Sequence, residues 1–149
     1  MQRWLFSNIV LRKFTSPGMV SSDNYNQGVE VTSFQCMLFV SGQVGIGPDG
    51  IPGKDIREQT EFALNKLNKV LAGADMDIND IVKSTIYLTD EYLIGPFMEV
   101  GAGFLPTPPQ ATTAHSFAEI GGLVVESNII VYIWGSSNYP LIDLDLQGH

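Results

Sequence analysis

The chain has 149 residues and a formal net charge of −8, which argues against nucleic acid as a partner, because neutralising phosphates takes clustered Lys and Arg. That length is enough for one domain with its own core, and no apolar run approaches the roughly 20 residues that a membrane span needs. Cys36 is the one cysteine, so an intrachain disulfide is excluded and a reducing, cytoplasmic setting is expected; neither Cys-x-x-Cys nor His-x-x-x-His occurs, so no metal or cofactor is expected.

The opening "MQRWLFSNIVLRKF" carries Arg3, Arg12 and Lys13 and no acid, as a targeting peptide would. It lacks the continuous apolar core and small-residue cleavage site of a secretory signal. A first strand around Ile9 to Phe14 is expected instead. Residues 1–8 and 138–149 then extend a single domain spanning 1–149. "TSPGMVSSDNYNQG" reads as loop, from its Pro, Gly, Ser, Asp and Asn. "VEVTSFQCMLFVSG" reads as two strands around a tight turn near Thr32 to Gln35, and "GIGPDGIPGK" as a second loop. "DIREQTEFALNKLNKVLAGADM" is the clearest helix. Asp55 and Glu58 fit a capping box, Ile56, Ala63, Leu67, Val70 and Leu71 form one apolar face, and Gly73 fits the stop.

"DIVKSTIYLTD" follows as a strand, rich in strand-forming Ile81, Val82, Thr85, Tyr87 and Thr89. Glu91 to Phe104 is a second helix of poor propensity, interrupted by Gly95, Pro96, Gly101 and Gly103. "LPTPPQ" is a rigid loop, since proline fixes φ and disfavours helix before it. "ATTAHSFA" and "LVVESNIIVYIW" close the pattern as two strands. The order gives an α+β layer with the helices on one face of a sheet. The other face is open unless subunits cover it. A charged fraction of only 16% points the same way, to a homo-oligomer.

Glu126 interrupts the apolar run from Leu123 to Ile133. Desolvation there raises a carboxyl pKa and suits it to acid–base work or to holding a water. A strand whose Glu126 and Asn128 both face solvent explains the pattern equally well. Ser41-Gly42-Gln43 halts a strand. A bulge accounts for that, and so does a ligand site made of a serine hydroxyl and a backbone donor. Tyr25 and Gln27 sit in a loop, where a tyrosine either lids a cleft or simply packs. His115 alternates with polar residues on a strand and defaults to the surface. Asp75, Asp77 and Asn79 suggest a calcium loop faintly, but Asp80 stands where glycine is needed and Ile86 where glutamate is. Gly53-Lys54 precedes a helix, yet Pro48 and Asp55 break the phosphate-loop pattern. Cys36 has no histidine nearby in the sequence to activate it.

Taken in order, these segments resemble the YjgF/RidA family over roughly Lys13 to Ile133. "NYNQGVEV", "LFVSGQVGIGPDG", "EQTEFALNKLNKVLAGADMDINDIVKSTIYLTD", "GFLPTPPQATTA" and "LVVESNIIVYI" carry the resemblance. It implies a chorismate mutase-like sheet of about six strands with two helices packed on one face, assembled as a homotrimer. It implies a cofactor-independent hydrolytic deaminase of enamines and imines, with its small-molecule site in an intersubunit cleft. Residue by residue, it implies substrate-binding roles for Tyr25, Ser41 and Thr112, and a catalytic role for Glu126 in positioning or activating the hydrolytic water. Two positions depart from the family pattern. Gln110 stands where active deaminases carry the arginine that grips a substrate carboxylate, and Met98 where an asparagine is expected. A neutral amide supplies no charge-assisted bidentate pair. The expected substrate is therefore altered, for instance an aminomuconate-type compound, with Gln110 a neutral contact. The alternative is a trimeric metabolite-binding or regulatory protein without catalysis.

Overall fold

The structure is a computed structural model that describes residues 10–32, 36–116 and 129–137, the last stretch as backbone. Strands β1 (Val10–Phe14) and β2 (Gly28–Thr32) form an antiparallel two-stranded sheet, with Arg12 opposite Glu30. β3 (Cys36–Phe39), β4 (Gln43–Val44), β5 (Ile81–Leu88), β6 (Ala111–Ser116) and β7 (Ile129–Ser137) form the main sheet. Its order is β3-β7-β5-β6, with β4 also pairing β7. The strands expected around a tight turn do form, but they do not pair with each other. β2 pairs with β1, and β3 with β7.

The break at Ser41-Gly42-Gln43 is a bulge. Phe39 lies opposite Trp134 and Gln43 opposite Val131, so this side of the ladder holds one residue more than β7 does. Helix α1 (Ile56–Gly73) starts where expected, with the Asp55 side chain accepting from the Glu58 amide at 2.9 Å. The Glu58 carboxylate reaches the Lys54 amide, one residue earlier than a strict capping box requires. The stop differs from expectation. Gly73 is still helical, and Asp75 takes the left-handed conformation at φ 55°. The Asp75 amide donates to Ala72 and the Met76 amide to Leu71, which is the double bond pattern of a Schellman close. Buried Met76 and Leu71 supply its apolar contact.

The Asp77 and Asp80 carboxylates are accounted for by the next turn. Asp77 caps a 3-10 turn over Ile78–Asp80, and Asp80 accepts from the Asp77 amide. Helix α2 (Ile94–Gly101) tolerates Pro96 because it falls in the first turn, where a missing amide proton breaks no intrahelical bond. α2 lies within the β5-to-β6 connection, which is what allows those two strands to run parallel.

The core sits between the helices and one sheet face. Ala63, Leu64, Leu67 and Leu71 of α1 and Phe97 of α2 join Ile81, Ile86 and Leu88 of β5, each nearly inaccessible to solvent. Two glycines let the loop before α1 lie against it. A Cβ on Gly45 or Gly53 would stand under 3 Å from the Gln59 or Glu58 backbone, and Gln59 Nε2 donates to the Gly53 carbonyl at 2.8 Å. That close approach, rather than phosphate binding, is what Gly53 provides.

Candidate functional site

β5 and β6 run in register, Ser84 beside Thr112 and Ile86 beside Ala114. Alternation turns Ser84, Ile86 and Leu88 toward the helices. α2 lies over the β6 end of this face, and the loop containing Tyr25 borders the remaining gap. A cavity of about 200 Å³ results, lined by Asn24, Tyr25, Ile86, Leu88, Ile94, Phe97, Met98, Leu105, Thr112 and Ala114. Tyr25 and Thr112 are 87 positions apart in sequence and meet at this one cavity. Met98, one of the two departures from the family pattern, lines it too.

The border of the cavity is tied in place by main-chain contacts to the proline loop, whose Thr107–Pro108 peptide bond is cis. Asn26 donates from its amide to the Gln110 carbonyl at 3.1 Å and from Nδ2 to the Pro109 carbonyl at 2.7 Å. Lys13 of β1 donates to the Pro108 carbonyl, and burial pushes its ammonium below the ordinary pKa. Asn26 and Lys13 therefore tie the cavity's border to the proline loop, a role the sequence reading assigned to neither, although Asn26 falls inside the segment "NYNQGVEV".

Gln110 is fully buried. Its Nε2 donates to Ser84 Oγ at 2.8 Å and to Thr112 Oγ1 at 3.2 Å, and the two hydroxyls lie 3.1 Å apart. Its Oε1 is buried with no hydrogen-bond partner among the described residues. Gln110 thus stands behind Thr112 and is not one of the residues lining the cavity. Ser84 is a member of this cluster that sequence reasoning missed, since nothing sets a serine inside a strand apart. Ser41 is exposed, and its carbonyl accepts from Gln43 Nε2 at 3.1 Å; it does not line this cavity within the chain. Glu126 lies outside the described residues. A second, shallower groove of about 440 Å³ is lined by Ile46, Pro48, Phe62, Asn65, Lys66 and Lys69, none of them an expected site residue. Among the described residues no cluster of His, Cys, Asp and Glu is placed to hold a metal ion. Among the same residues no helix is long and apolar enough to cross a membrane.

The sheet-and-helix layer defines an α+β protein with a small-molecule-sized cavity, and comparison with known proteins gives the family. The family model described as Endoribonuclease L-PSP matches residues 17–133. A RutC family protein of Pyrococcus abyssi is 38% identical over 111 residues, covering 72% of this chain and 85% of its own. The mouse 2-iminobutanoate/2-iminopropanoate deaminase is 30% identical over 99 residues, covering 64% of this chain and 70% of its own. Among solved structures, a Rid-family protein of unknown function from Yersinia pestis superposes with a TM-score of 0.74 at 22% identity, covering 85% of this chain and 98% of that one. The chain belongs to the YjgF/RidA family.

Proposed function

We propose that this protein is a hydrolytic deaminase of an enamine or imine, with a substrate that differs from the simple α-imino acids. The observation that carries the reading is the meeting of Tyr25 and Thr112 at one cavity, in a chain 30% identical to a named imine deaminase. In the reaction, water adds to the C=N carbon, the nitrogen takes up protons and leaves as ammonia, and a carbonyl remains. Glu126 orients and deprotonates the water. Tyr25 and Thr112 hold the substrate, Gln110 acts through Thr112, and Ser41 joins from a neighbouring subunit of a cytoplasmic homotrimer. The last position in the sheet order held by β6, beside the cavity, supports completion of the site by a second copy.

Substrate choice follows from Gln110 and Met98. None of the described lining residues is cationic. A substrate carboxylate seated there forgoes the bidentate pair with a cation, in which each hydrogen bond is worth about 1.5–3 kcal/mol. Aminomuconate-type compounds, larger than the simple α-imino acids and long enough to keep a carboxylate outside the cavity, are the first class to test. The family description names an endoribonuclease, but a net charge of −8 opposes phosphate-backbone binding.

Ammonia release is the assay. Turnover of an aminomuconate-type substrate, abolished by Glu126→Ala, is expected. Slow release from 2-aminoacrylate is expected alongside it. Normal turnover of 2-aminoacrylate by the unaltered protein would overturn the reading of Gln110. Metabolite binding without any ammonia release would make the protein a binding or regulatory trimer instead. Light scattering tests the assembly, and a stable monomer would remove the intersubunit site.

A further inference from the structure

We infer that Thr112 directs its hydroxyl proton into the cavity, set in that sense by Ser84 and Gln110. The group seated against it is an uncharged acceptor, an imine nitrogen or a carbonyl oxygen, on a ring-sized apolar body. This rests on the cavity being the substrate site, and it adds Ser84 as a positioning residue.

Proton counting gives the direction. Gln110 Nε2 only donates, so the Ser84 and Thr112 oxygens are both its acceptors. Ser84 is 1% exposed, and the other oxygen within its reach is Thr112 Oγ1 at 3.1 Å. A buried hydroxyl proton left without an acceptor is costly, so Ser84 donates to Thr112. Thr112 then accepts from two donors and keeps its own proton for a third partner. Thr112 is half-buried and lines the cavity, so that partner is whatever the cavity holds. Hydrogen bonds running in one sense polarise each other, which makes the terminal hydroxyl a better donor.

The surroundings fix the rest of the ligand. Ile86, Leu88, Phe97, Met98 and Leu105 make the walls, and none of the described lining residues is charged. An apolar cavity of about 150 Å³ accepts benzene. The present one, about 200 Å³, has room for a ring and a small substituent. A charged end of a longer substrate would have to lie outside it.

The unpaired Oε1 of Gln110 bears on the same point. An amide buried with one end unpaired stabilises a fold poorly compared with a hydrocarbon of the same shape. The Nε2 end, which sets the two hydroxyls, accounts for its presence. Gln110→Met is then expected to fold with an unchanged or raised Tm, while losing the directed donor.

The test uses the full-length protein and two probes of one shape, acetophenone and α-methylstyrene, which exchange C=O for C=CH2. Affinities are read by ligand-observed NMR titration. The unaltered protein is expected to bind the ketone about three- to tenfold more tightly than the hydrocarbon, the span of one hydrogen bond. Thr112→Val should abolish that preference with hydrocarbon affinity unchanged, and Thr112→Ser should keep it. Ser84→Ala and Gln110→Met should each reduce it. No ketone preference in the unaltered protein, a preference that survives Thr112→Val, or equal loss of both probes in that variant would each overturn the inference. Normal imine hydrolysis by Thr112→Val would sink it while leaving the deaminase reading intact. A Thr112-dependent preference in a protein that hydrolyses no imine would do the reverse.

Discussion

The two faces of the β5–β6 pair are built from alternate residues of the same strands, and they do opposite work. The helix face presents Ser84, Ile86 and Leu88 beside Thr112 and Ala114, and it is closed by α1 and α2 except at the cavity. The other face presents Lys83, Thr85 and Tyr87 beside Thr113 and His115. There Lys83 donates to the Thr113 hydroxyl, and the Tyr87 and His115 rings stack at 5.4 Å. Polar groups on the first face are turned inward and hold one another. Those on the second are paired across the strands, at a surface that neither helix covers. A one-residue shift in register would exchange the two sets, so the hydrophobic alternation of β5 fixes both the cavity and the open face at once.

The contrast can be broken most strongly from the helix side. Phe97→Ala removes a 2%-exposed ring shared by the core and the cavity, and a loss of about 3–5 kcal/mol is expected in denaturant titration. On the open face, Tyr87→Ala should cost less, about 0.5–1.5 kcal/mol for the ring pair plus the loss of a half-buried ring's contact area. A larger loss, accompanied by dissociation in light scattering, would show that this face is covered by other subunits.

Lys83 sharpens the same comparison through pH. Burial lowers its pKa from the ordinary 10.5, so just below that value the unfolded chain binds more protons than the folded one. Stability contributed by this group therefore rises as pH climbs from the depressed pKa toward 10.5. Lys83→Met should flatten the alkaline stability curve relative to the unaltered protein. An unchanged slope would mean that the ammonium is solvated.

The smallest effect belongs to the separate hairpin. The hydrogen bond from Arg12, then its charge, holds the Glu30 carboxyl below its ordinary pKa. Any stabilisation is present above the ordinary carboxylate range and disappears as pH falls through the depressed value. The pair is fully exposed, so Glu30→Gln should be indistinguishable from the parent at neutral pH and high salt.

Local features of this fold were legible, and the cavity's polar cluster was not. Asp55 announces the start of α1 because a cap needs only the next three residues. Its left-handed closing residue was placed two residues early, at Gly73, because aspartate also tolerates the conformation that Asp75 adopts. Pro96 and its neighbouring glycines argued against α2 by propensity, and packing of Phe97 into the core overrode that. The hairpin expected of β2 and β3 does not form: β2 pairs with the preceding strand β1, and β3 with the distant β7.

The sequence by itself determined the N-terminal cap of α1, the alternation of β5 and, through ordered motifs, the family. Each is set by neighbours within a few residues or by a pattern that survives without coordinates. The tertiary structure alone decided that Gln110 turns away from the cavity to hold Ser84 and Thr112, and that Asn26 and Lys13 anchor the proline loop. Those partners are joined by strand pairing and by contacts between distant segments. A hydrogen bond's partner is chosen by which groups folding brings within about 3 Å, and side-chain type alone does not encode that distance.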